Sequence, residues 1–71
     1  MSPHRVVALL NPPQSPFELG CAAEVFGGVA AARYDFGVCA ERPGPVETTV
    51  GYAMLVEAGL EAVGDADTVV I

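Results

Sequence analysis

Arg5 to Leu19 reads "RVVALLNPPQSPFEL", and its three parts decide the fold. Arg5 to Leu10 is a continuous apolar run without alternation, as expected for a parallel strand covered on both faces. Proline-rich Asn11 to Ser15 breaks it and must be a loop without regular hydrogen bonding, because proline has no N–H to give. A helix opens at once: Ser15 can cap it, Pro16 suits the first helical position, and Glu18 completes an S-x-x-E capping box.

Leu19, Ala22, Ala23, Phe26 and Ala30 then recur at helical spacing and form one apolar face. Gly27 and Gly28 mark a stop or kink, and the pattern leaves open whether "VAAAR" (Val29 to Arg33) prolongs the helix. Tyr34 to Ala40, "YDFGVCA", is a second strand, so strand, helix and strand together have the size of a βαβ unit.

Farther along, "ERPGP" (Glu41 to Pro45) reads as a turn. Val46 to Thr49 and Tyr52 to Val56 flank Val50-Gly51 and suit either a hairpin or an irregular extended arm. A short helix over Leu60 to Val63 closes at Gly64. Thr68 to Ile71, a β-branched run after Asp65-Ala66-Asp67, reads as another strand buried on both faces of a parallel sheet. The fold class is therefore open α/β. One good helix and one short one cannot cover both faces of such a sheet, so residues 1–71 read as the amino-terminal part of a larger domain.

Composition narrows the function. The 71 residues carry nine carboxylates against Arg5, Arg33 and Arg42, for a net charge of −6. That balance repels nucleic acid. A chain of this size supports at most one small domain and should fold poorly by itself, since cores below about 70 to 80 residues rarely supply more than about 3 to 5 kcal/mol. Cys21 and Cys39 are too few for a secreted disulfide scaffold, and neither sits in a zinc-binding spacing. Both read as buried free thiols. The first apolar run is too short for a signal peptide or a membrane span. A cytoplasmic location with no membrane contact is the expectation.

Ligands of open α/β sheets bind outside the carboxyl ends of the strands. Here that edge is the loop Asn11 to Ser15 with the helix start behind it. Asn11 and Glu18 are the candidate ligand-binding residues. Glu18 is explained structurally by the capping box and the helix dipole; functionally it could hold a proton or hydrogen bond beside a ligand or nucleophile. His4 has no second ligand or acid nearby and reads as a solvent-facing residue before the first strand. Neither cysteine lies at a strand-to-helix elbow that would activate a thiolate. Gly27-Gly28 ends a helix instead of opening one, so it is no phosphate loop. Catalytic residues, metal ligands and cofactors are not indicated.

"PFELGCAAEVFG" (Pro16 to Gly27) resembles the P-F-[DE]-L … E-V-F-G segment of AraC-type transcriptional regulators that carry an amino-terminal DJ-1/PfpI-like, class I glutamine amidotransferase-like domain. "CAERPGPVETTVGY" (Cys39 to Tyr52) and "GLEAVGDADTVVI" (Gly59 to Ile71) agree with the same family, in the same order. The resemblance implies a flavodoxin-like three-layer sandwich, present here as an amino-terminal fragment, and a dimeric sensor for a small-molecule effector. It also implies DNA binding through a carboxy-terminal helix-turn-helix domain that residues 1–71 do not contain. Glu18 matches the family's acidic position facing the elbow that carries a cysteine in the catalytic members. The alternative is part of a DJ-1/PfpI-type cysteine-dependent hydratase or hydrolase. A third reading, a self-contained interaction module, would leave the last strand to pair with another chain. On the first reading, residues 1–71 alone neither catalyse nor bind DNA.

Overall fold

The computed structural model describes residues 3–71. β1 (His4–Leu10) lies at the centre of a parallel sheet, with β2 (Tyr34–Ala40) on one side and β5 (Thr68–Val70) on the other. Between β2 and β5 the chain makes an antiparallel hairpin, β3 (Gly44–Glu47) and β4 (Ala53–Val56), and a short helix α2 (Glu61–Gly64). This is an α/β structure with a three-stranded parallel sheet.

Consecutive strand residues point to opposite faces, so the unbroken burial of Val6, Val7 and Ala8 means that both faces of β1 are covered. This is the arrangement the apolar run predicts, and the strand begins one residue earlier than expected, at His4. β2 spans the expected residues and is deeply buried only at its carboxyl end, Cys39 and Ala40.

β5 departs from expectation. Val69 and Val70 are half-buried and Ile71, outside the strand, is 90% exposed. The reason is position: β5 pairs with β1 on one side only. Two reciprocal bonds fix its start, Arg5 N–H to the Asp67 carboxylate at 2.8 Å and Asp67 N–H to the Arg5 carbonyl at 2.9 Å.

The crossover from β1 to β2 is α1 (Pro16–Ala22), which runs directly into a π-helical segment, Ala23–Val29. All five residues of the expected apolar face are partly buried, while Phe17, Glu18, Cys21, Glu24 and Val25 are exposed. The glycine pair, expected as a stop or kink, lies in the π-helical segment, which ends one residue later at Val29. A β-carbon at Gly27 would come within 3.3 Å of the Phe36 ring, so its small size allows the close approach of helix to β2. The wide turn is visible in the bond from Ala30 N–H to the Val25 carbonyl at 3.0 Å. The capping box is half made: Glu18 N–H donates to Ser15 Oγ at 3.3 Å, and among the described residues the reciprocal carboxylate bond is absent.

The hairpin resolves the choice left open between Val46 and Val56, and it begins earlier than the sequence suggests. Gly44 and Pro45 belong to β3 instead of the preceding turn, because they pair in register with Val56 and Leu55. Val46, Thr48 and Val56 face inward. The Thr48 hydroxyl donates to the Tyr52 carbonyl at 2.6 Å and accepts from the Val50 and Tyr52 N–H groups, which ties the loop around Gly51. Gly51, at φ +92°, takes a backbone conformation that side chains disfavour. Val46 and Val56 join Leu10 and Ala40 in one buried cluster that bonds sheet to hairpin, with Leu19, Val38 and Met54 packed against it.

Leu10→Ala should therefore lower stability by about 2 to 4 kcal/mol, read as a shift in the urea midpoint or, in so small a chain, as loss of the folded circular-dichroism spectrum. Thr48→Val keeps the shape and removes the hydroxyl; it should cost about 1 to 3 kcal/mol and raise hydrogen exchange at the Val50 and Tyr52 amides while leaving β1 protected. Uniformly faster exchange would contradict a local role for Thr48.

Candidate functional site

The carboxyl ends of β1, β2 and β5 share one edge of the sheet, and the loop after β1 turns there into α1. Its path is set by Gln14, which the proline pattern gave no reason to single out. Gln14 forms an isolated parallel bridge with Thr48, donating its N–H to the Glu47 carbonyl at 2.8 Å and accepting from Thr49 N–H at 3.0 Å. The expectation of a loop without regular hydrogen bonding thus fails at this residue. Prolines 12, 13 and 16 flank Gln14, yet its own N–H remains available, and the hairpin supplies the partner from far along the chain.

The Gln14 side chain is also committed. Its Oε1 accepts from Asn11 N–H at 3.0 Å, and its Nε2 donates to the Ser15 carbonyl at 3.0 Å. Between this loop, α1 and β5 lies a cleft of about 60 Å³ walled by Ala8, Leu9, Leu19 and Val70, with Gln14, Glu18 and Ile71 at its margin. Liquid water occupies about 30 Å³ per molecule, so the cleft admits a small polar group and not a whole drug-sized ligand.

Glu18 thus reaches the edge where the sequence places it. Among the described residues no hydrogen bond or ion pair engages its carboxylate; the Arg5–Asp35 pair at 3.0 Å lies elsewhere. Asn11 is exposed and is not among the residues that line the cleft; it contributes through the bond to Gln14. The structure brings Glu18 together with Gln14 and the end of β5, an arrangement that can accept a hydrogen bond or bind a small cationic group.

Neither sulfur lines this cleft. Cys39 is wholly buried, as expected for a structural thiol. Its pKa is raised above the usual thiol value, first by burial and then by the nearby Glu61 carboxylate. Glu61 in turn is held below the usual carboxylate range by its own N–H and that of Gly59, which donates to Oε1 at 3.0 Å. Cys21 corrects the expectation of a buried thiol. It is exposed beside Phe17, Gly20 and Glu24, because at about 3.6 residues per turn position 21 shares the outward face of the helix with positions 17 and 24, away from Leu19 and Ala22.

At the opposite end of the sheet His4 belongs to β1 and is exposed. Its Nε2 lies 2.7 Å from Thr68 Oγ1, and its ring meets the edge of Tyr34 at 5.9 Å. Among the described residues no group of three or more acidic, histidine or cysteine side chains could hold a metal ion, and no helix is long and apolar enough to cross a membrane. Comparisons with family models, curated proteins and solved structures return no match to this chain.

The two thiols should separate cleanly in a timed reaction with a disulfide reagent: one fast equivalent from Cys21, abolished in Cys21→Ser, and one slow equivalent from Cys39 until denaturant is added. A thiol whose pKa is higher folded than unfolded stabilises the fold below its unfolded pKa and ceases to do so as pH rises through the folded value. Stability should therefore fall as pH climbs through and above the ordinary thiol range, and Cys39→Ala should flatten that part of the profile.

Proposed function

We propose that residues 1–71 form the amino-terminal part of the sensor and dimerisation domain of an AraC-type transcriptional regulator, a DJ-1/PfpI-like domain with flavodoxin-like layering. The observation that carries this reading is the placement of Glu18 in a cleft at the carboxyl edge of a parallel sheet, beside the end of β5. Strand order supports it as well. The chain goes from β1 to β2 on one side and returns to β5 on the other, and such a reversal opens the crevice where open α/β sheets take their ligands.

In this role Glu18 accepts a hydrogen bond from a small-molecule effector, and Asn11, bonded to Gln14, fixes the loop that borders it. The full regulator acts in the cytoplasm as a homodimer and reaches DNA through a separate helix-turn-helix domain. The part described needs no cofactor for this task and performs no catalysis. Its net charge of −6 opposes DNA contact.

The test is the intact mass of the native gene product, followed by a DNA-shift assay. A regulator is expected to be a two-domain chain of about 300 residues that shifts duplex DNA, while residues 1–71 alone give no salt-sensitive shift. A native product of a single domain, with a cysteine at the elbow after β5 and no helix-turn-helix, would replace this reading with the cysteine-dependent enzyme. A salt-sensitive shift by the 71-residue chain would overturn the assignment of DNA binding to another domain.

A further inference from the structure

A second cavity, of about 440 Å³, lies at the opposite, amino-terminal edge of the sheet, where the π-helical segment turns into β2. Val25, Phe26, Ala30, Ala32, Arg33 and Tyr34 line it. It is a hollow open to solvent, with Val25, Ala32 and Arg33 exposed, of about the volume of a small-molecule site, and it shares no residue with the cleft at Glu18.

Two features define what could occupy it. The first is a pair of aromatic walls that neighbouring rings hold in place. Phe26 and Tyr34 meet edge to face with centroids 5.0 Å apart; Phe36 stacks on Phe26 at 6.4 Å, and His4 abuts Tyr34 at 5.9 Å. Rings fixed before binding lose little freedom on binding. The second is charge. Arg5 is paired with Asp35, whereas Arg33, at the wall of the cavity, has no carboxylate within ion-pair distance among the described residues, although the chain carries nine. An arginine that lines the same hollow as aromatic rings suits a flat carboxylate, which a guanidinium can bind through two parallel hydrogen bonds.

The π-helical turn bears on the same point. Such turns cost regular helical bonding and occur frequently at functional sites, and here the turn contains both Val25 and Phe26. We propose that this cavity binds a small aromatic carboxylate, with its ring against Phe26 and Tyr34 and its carboxylate on Arg33. The inference goes beyond the effector site proposed above and does not depend on it.

Phenylacetate is the probe, with neutral phenylacetamide as its uncharged twin, titrated into the isotopically labelled native gene product and followed through backbone amide resonances. Saturable shifts centred on residues 25 to 34 are expected at millimolar phenylacetate, with binding of phenylacetamide weaker by about tenfold or more. Arg33→Gln should weaken phenylacetate by a similar factor, Arg33→Lys by less, and Arg42→Gln not at all. Equal binding of the two probes or no saturable shift would overturn the proposal. So would movement of the same resonances with protein concentration alone, which would assign this face to a second copy of the chain.

Discussion

β1 is covered on both faces and hydrogen-bonded along both edges, and every other element is placed by that constraint. Its N–H and C=O groups need partners on each side once Val6, Val7 and Ala8 are removed from water. β2 and β5 supply them. The apolar faces need cover, which α1, α2 and the Leu10 cluster provide in part. Not all of the chain is covered: β5 is half-exposed, and Leu55, Val50 and Phe17 face outward.

The hairpin shows how the two edges of the sheet acquire different character. By packing Val46 and Val56 against Leu10 and Ala40 it closes the carboxyl end of β1 and β2. The same hairpin holds Gln14 through backbone bonds at 2.8 and 3.0 Å. The loop that leads into α1 is therefore supported from outside, and the position of Glu18 follows from a contact with residues more than thirty positions away. The amino-terminal edge is held instead by the reciprocal bonds between Arg5 and Asp67. There the aromatic rings of Phe26, Phe36, Tyr34 and His4 pack on one another and leave a roomier cavity beside Arg33.

Departures from the sequence reading have local causes. Gly27-Gly28, expected as a stop or kink, falls within the π-helical segment one residue before its end at Val29, and Gly27 also serves close packing against Phe36, a requirement invisible in helix propensity. Pro45 enters a strand because a two-stranded hairpin has free edges, where a missing N–H is tolerated. Cys21 is exposed because α1 has only one covered side in this structure, whereas hydrophobicity alone marks a cysteine for burial.

The sequence by itself determined the elements that local chemistry controls: an apolar run that could only be a covered strand, a proline-rich break, a serine cap, and the inward face from Leu19 to Ala30. It also located the candidate carboxylate, Glu18, because capping and the carboxyl edge of a strand both leave a spacing signal. Only the tertiary structure decided the sheet order, the bridge from Gln14 to Thr48, and the cavity between Arg33 and the aromatic rings. Those depend on pairings between residues distant along the chain, whose partners no periodicity specifies. Burial of β1 demands two neighbouring strands, but it is the packing of the whole chain that selects which two.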